Sequence, residues 1–164
     1  MKISKPPRHF VAPNLAIESW ASIEPYYSEL LKRQITTKED LIQWLRDQSE
    51  LEAILEEDAA WRYIKMTINT KDEKLSSAYS FFVSEIQPKI APLEDLLNRK
   101  LNEIDFTKEL ESDPGFFILF RGIRKALELY REENIQLISE VAEESQKFGS
   151  LSAAQSIEYN GEKL

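Results

Sequence analysis

One histidine, no cysteine and twenty-nine acidic residues bound the chemistry open to this chain of 164 residues. A zinc hydrolase of the His-Glu-x-x-His type needs two histidines one helical turn apart, with a glutamate beside the first to deprotonate the metal-bound water. His9 is the only histidine and stands in a proline-rich arm, so that pair cannot form. Ser-His-Asp chemistry would also have to route through His9, which has no serine elbow to serve. The lack of cysteine removes thiolate nucleophiles, disulfides and cysteine-ligated metals. The sequence therefore assigns no catalytic, cofactor-binding or metal-ligating residue.

Carboxylates are the remaining candidates. Glu50, Glu52, Glu56, Glu57 and Asp58 form one group, and Glu140, Glu143 and Glu144 another. Converging carboxylates can transfer protons or bind Mg²⁺ or Ca²⁺. Neither group has the glycine-punctuated spacing of a calcium loop, and both suit the solvent side of amphipathic helices, which is the expectation here. Arg121, Arg124, Lys125 and Arg131 make a small basic ridge where a phosphate or a partner's carboxylate could dock. Pairing with the chain's own acids is the simpler expectation, and no glycine-rich phosphate loop accompanies the ridge.

The elements that must carry these residues are helical. Hydrophobic residues make up 42% and charged residues 30%, which suits a packed core, and four glycines are too few for the tight turns of a sandwich or barrel. A chain of this length makes one domain that buries roughly two-thirds of its unfolded surface. The net charge of −8 opposes binding to nucleic acid. The basic start is broken by Pro6 and Pro7 before any export helix, and no apolar run spans a membrane, so a soluble cytoplasmic domain is expected.

Residues 1–18 read as an extended arm and residues 19–155 as a helical domain. Ser22 is placed to cap a first helix, with Pro25 in its first turn and Ile23, Tyr27, Leu30 and Leu31 as its apolar stripe. Glu29 precedes Arg33 by one turn, as Asp58 precedes Arg62. Thr36 and Glu39 have capping-box spacing, opening a helix that turns Leu41, Trp44 and Leu45 inward, with Gln48 at its edge. Ser49 and Glu52 repeat the box, predicting a second helix with the stripe Leu51, Ile54, Leu55, Trp61, Ile64 and Ile68. Trp20, Trp44 and Trp61 all read as core anchors.

From Leu75 the apolar residues Tyr79, Phe82, Ile86, Ile90, Leu93, Leu97, Leu101 and Ile104 step by three and four, a continuous helical seam. Pro88 and Pro92 predict a kink or short break near residues 84–92. Ser112-Asp113-Pro114 reads as a cap with proline in the first helical position, and Phe116 to Tyr130 continues as helix. Gly122 inside it predicts close approach by another element. A last helix carries Ile138, Val141, Ala142 and Phe148, with Gly149 as terminator. Residues 156–164 begin a β-hairpin at Asn160-Gly161, and the three residues left for its return strand predict a boundary cut through a longer protein. Phe116 and Phe117 predict surplus apolar surface, a seam to a missing domain or a site of self-association.

Read together, Pro7-Arg8-His9-Phe10, the Trp20…Pro25…Leu30-Leu31 opening, Ser49-Glu50-Leu51-Glu52-Ala53, Trp61-Arg62-Tyr63-Ile64, Phe81-Phe82-Val83 with Ile86-Gln87-Pro88-Lys89-Ile90-Ala91-Pro92-Leu93, and Tyr130-Arg131-Glu132-Glu133-Asn134-Ile135 resemble the N-terminal region of an oligoendopeptidase F-like zinc metallopeptidase of the thimet-oligopeptidase group. The likeness covers nearly the whole chain. It implies an all-α lobe without catalytic residues, partnered by a C-terminal catalytic domain of the same chain. Zinc would sit in that domain, on a His-Glu-x-x-His helix with a glutamate ligand downstream. It also implies a channel that admits short, unstructured peptides and excludes folded proteins. The competing expectation is a free-standing helical adaptor that binds a partner through the Leu75–Ile104 seam or the Phe116 patch. A small carboxylate-based enzyme is a third, without specific support.

Overall fold

The computed structural model describes residues 7–160 and 162–163, which form an all-α fold. After a 3₁₀ turn, Trp20–Ser22, come α1 (Glu24–Lys32), α2 (Lys38–Ile68), α3 (Glu73–Phe81), a π turn (Phe82–Ile86), α4 (Gln87–Asn102), the short α5 (Thr107–Leu110), α6 (Pro114–Leu129) and α7 (Asn134–Ala153). The largest fully buried side chains come from α1 (Tyr27, Leu30, with Ile23 just before it), the first half of α2 (Leu41, Trp44, Leu51), the π turn (Ile86) and α4 (Leu97, Leu101). Phe120 and Ile123 of α6 close the same core.

Several helix starts differ from the sequence expectation, each for a local reason. Ser22 does not cap α1: its hydroxyl accepts from the Ser19 N–H at 3.3 Å, and Ile23 takes the cap position. The box expected at Thr36 and Glu39 forms one residue later. Thr37 Oγ1 accepts from the Asp40 N–H at 3.1 Å, and Asp40 accepts from the Thr37 N–H at 2.9 Å and the Thr36 hydroxyl at 2.9 Å. The Thr36 hydroxyl and the N–H groups of Thr36 and Thr37 all donate to the shorter Asp40 side chain, so it takes the place expected for Glu39. Ser49 caps nothing, because α2 runs unbroken from Lys38 to Ile68.

The expected seam is one helical path from Leu75 to Leu101, with Phe82, Ile86, Ile90, Leu97 and Leu101 buried along it, while Ile104 lies past the end of α4. The irregularity falls before the prolines. In the π turn the Gln87 N–H bonds to the Phe82 carbonyl, five residues back. The next donor in that register would be residue 88, a proline with no N–H, so the Val83 carbonyl loses its partner. The Ser139 hydroxyl of α7 supplies one at 2.6 Å.

Lysine and tryptophan finish α1. The Lys100 ammonium donates to the carbonyls of Leu30 (2.8 Å), Leu31 (2.8 Å) and Arg33 (2.6 Å), and Trp44 Nε1–H donates to Leu30 at 2.9 Å. These are the carbonyls a helix end leaves unpaired. Asp113 caps α6 as expected, accepting from the Gly115 N–H at 2.7 Å, with Pro114 first in the helix.

Other expectations are overturned by exposure. Trp61 is 52% exposed and Ile68 79%, because Arg62 and the buried Met66, not these residues, take the covered face in the second half of α2. Gly122 has nothing within 4 Å of the place a Cβ would occupy, so no element approaches it. Gly149 does not end α7, which continues to Ala153, and Ile138, Val141 and Phe148 lie exposed along it. At the C-terminus Glu158 pairs with Lys163 and Tyr159 with Glu162 around Asn160, whose φ is 52°. Two residues a side form no sheet that could bury a face, so the expected β-hairpin does not stand as an element of the fold. Gly161, at the expected turn, and Met1 to Pro6, in the expected arm, lie outside the described residues.

Candidate functional site

The acidic run on α2 is not a uniform solvent face, because helical geometry sends its members to different neighbours. Glu50 turns to the arm, where its carboxylate accepts the N–H groups of His9 (3.0 Å), Phe10 (3.1 Å) and Val11 (2.8 Å) in succession. Burial would raise the Glu50 pKa, but these three donors outweigh it and hold the carboxyl below its ordinary value. His9 is engaged through its backbone at an exposed position. Asp58 pairs with Arg62 at 2.5 Å. Arg62 also donates to the carbonyls of Ala78 (2.9 Å) and Ile17 (2.7 Å) and lies over the rings of Phe81 and Phe82, tying α2 to α3 and to the arm.

Glu52 and Glu56, one turn apart, face a cavity of about 660 Å³ between α2 and the α3–α4 path. Glu94 of α4 enters it from the other side, and Leu55, Phe82 and Ile90 supply apolar lining. Gln48, one turn before Glu52, donates to its Oε1 at 2.7 Å. Burial raises the Glu52 pKa; the Gln48 hydrogen bond offsets this in part and the Glu56 charge adds to it. Burial, then the charges of Glu52 and Glu56, push Glu94 from 4.5 up to about 7. Near neutral pH, Glu94 therefore exchanges its proton within the solution range.

Behind these groups the Tyr27 hydroxyl is buried, without a hydrogen-bond partner among the described residues. Burial, then the charges of Glu94 and Glu52, raise its pKa far above that of a free phenol. At the other end Tyr63 and Tyr79 pair with ring centroids 5.6 Å apart, and burial followed by Tyr63 raises the Tyr79 pKa. Beyond that pair lies a second cavity of about 450 Å³, walled by Ala142, Gly149 and Ala153 of α7. Tyr63 and Tyr79 line both cavities, so the groove has two compartments that adjoin at this ring pair.

The sequence placed Glu52 and Glu56 on solvent; Glu56 is exposed as expected, whereas Glu52 is half-buried at the cavity, which corrects that reading for Glu52 alone. Glu94 escaped notice, yet it stands one turn after Ile90 and three residues before Leu97, on the buried face of the seam. An acid at an apolar-face position was the available signal. The remaining candidates behave as surface groups. Glu140 accepts from Gln136 and Glu144 pairs with Lys147. On the basic ridge, Arg124 pairs with Glu111 at 2.6 Å and Lys125 with Glu128 at 2.7 Å. Arg121 lies over the Phe117 ring, and Arg131 donates to the carbonyls of Glu128 and Tyr130. Phe116 stacks on Phe120 and is half-buried, whereas Phe117 is exposed.

Chemically, the groove offers negative charge, one carboxyl poised near neutrality and apolar and aromatic walls. Among the described residues no group of three or more histidine, cysteine, aspartate or glutamate side chains is placed to hold a metal ion, and no helix is long and apolar enough to cross a membrane. Residues 14–130 match the family model described as Peptidase M3 N-terminal domain. No curated protein and no solved structure matches the chain. The matched span holds the whole acidic cavity and stops before α7.

Proposed function

The chain belongs to the family of peptidase M3 N-terminal domains, and from that premise we propose that it is the non-catalytic lobe of an oligoendopeptidase F-like zinc metallopeptidase, a cytoplasmic enzyme. In this reading the chain makes one wall of the channel that limits substrates to short, unstructured peptides. The observation that carries the reading is the family match across the helices that build the groove. A groove with apolar walls suits an extended chain, which can lie along it, and not a packed domain, which presents no free strand.

Zinc, hydrolysis and the nucleophilic water belong to the partner domain. The donors in the groove are carboxylates alone, without an imidazole, and they do not fit a peptidase zinc site. The exposed side chains of Trp61, Ile64 and Ile68 on α2, and of Leu137, Ile138, Val141 and Phe148 on α7, supply apolar surface for that domain to cover.

The test uses a parent protein carrying this lobe and the catalytic domain that follows it, and the same protein without residues 1–164. The parent should cleave short flexible peptides in a zinc-dependent way and leave folded proteins intact. Removing the lobe should relax that size limit and reduce solubility. A parent reading frame with no His-Glu-x-x-His segment would end the proposal and favour the adaptor.

A further inference from the structure

We infer that the acidic end of the groove is a subsite for a basic side chain, best an arginine, of an extended peptide. The inference rests on the peptide-channel reading and adds the substrate class. Its first support is a contrast in charge pairing. Asp47 has Arg33, Asp58 has Arg62, Asp95 has Arg99 and Glu111 has Arg124. The three carboxylates that face the cavity, Glu52, Glu56 and Glu94, have no cation among the described residues, and no lysine, arginine or histidine lines the cavity. Like charges gathered beside apolar walls oppose folding. An incoming cation removes that opposition.

The second support is shape. A guanidinium presents a planar fork of donors that one carboxylate satisfies in part, and it stacks on aromatic faces. Glu52 and Glu94 would take the fork while the aliphatic stem lies along Leu55, Phe82 and Ile90, and the Tyr63–Tyr79 pair stands at the junction through which the rest of the peptide continues. A bare metal ion is the poorer occupant, because these side chains form no metal cage.

The experiment measures binding to this chain by anisotropy, using an unstructured alanine–serine peptide with a neutral fluorophore and one central arginine. A second peptide replaces the arginine by citrulline, which keeps the shape and loses the charge. The arginine peptide should bind at least about tenfold more tightly, the scale of charge-assisted hydrogen bonds gained. That preference should fall below about twofold in the double variant Glu52→Gln, Glu94→Gln. It should survive Glu140→Gln, Glu144→Gln, which makes the same change in net charge on exposed positions of α7. The first double variant relieves like-charge repulsion, so a native circular dichroism spectrum is expected and separates lost binding from lost folding. Equal binding of the two peptides would overturn the arginine subsite and leave the channel reading standing. Failure of both peptides to bind, with or without self-association in sedimentation, would overturn the subsite, whereas the channel reading falls only to the parent-protein test. Equal loss of preference in the two double variants would reduce the effect to net charge and overturn the subsite.

Discussion

Glu94→Gln should stabilise the protein at alkaline pH, and the size of the effect follows from where the carboxyl sits. Burial beside Glu52 and Glu56 raises its pKa from 4.5 to about 7. The folded state therefore holds a proton more firmly than the unfolded state between those values, and stability falls as pH rises across that window. At ~1.4 kcal/mol per tenfold change in proton affinity, the full loss is about 3 kcal/mol, complete above the folded pKa. Glutamine keeps the shape and cannot ionise. The variant should match the wild type to within about 1 kcal/mol at pH 5 and exceed it by up to about 3 kcal/mol at pH 8. Urea unfolding at the two pH values, followed by circular dichroism, gives both numbers, and titrating groups not coupled to Glu94 cancel in the difference. A gap that is the same at pH 5 and pH 8, or a variant that is less stable at pH 8, would refute the placement of Glu94 among unpaired like charges.

Four further outcomes follow from the same structure. Glu50→Ala should free the arm, seen as faster proteolysis before Ile17, with about 1 kcal/mol of stability lost at pH 7; because the Glu50 pKa is depressed, this difference is present above the ordinary carboxylate value and vanishes as pH falls through the lower folded value. Lys100→Met should cost about 2 kcal/mol in urea unfolding, since the Leu31 and Arg33 carbonyls at the end of α1 lose this donor and the Leu30 carbonyl keeps only Trp44. Trp44→Ala should cost about 3–5 kcal/mol, whereas Trp61→Ala should stay within about 1 kcal/mol, which sorts the buried ring from the exposed one. Far-ultraviolet circular dichroism should be predominantly helical, and a strand-dominated spectrum would contradict the helices described here.

Helix positions were legible in the sequence because an α-helix is closed by bonds four residues apart, and its apolar stripe and caps are written at the same range. The Leu75–Leu101 seam, the Asp113 cap, and the Glu29–Arg33 and Asp58–Arg62 pairs belong to this local layer. Periodicity identifies the apolar side of a helix, but it does not say what covers that side. For this reason Trp61 and Phe148, on good stripes, emerge exposed, and Gly122 meets no neighbour. The choice between Ser139 and solvent for the Val83 carbonyl, and the reach of Arg62 to Ile17 and Ala78, were likewise settled by packing. The acidic groove shows the division most clearly. The sequence reading divided Gln48 from Glu52 and Glu56 at Ser49; the unbroken α2 sets all three on one face, and only the approach of α4 brought Glu94 to it. The charge state of a carboxyl depends on neighbours through space, and those neighbours exist only once the chain has folded.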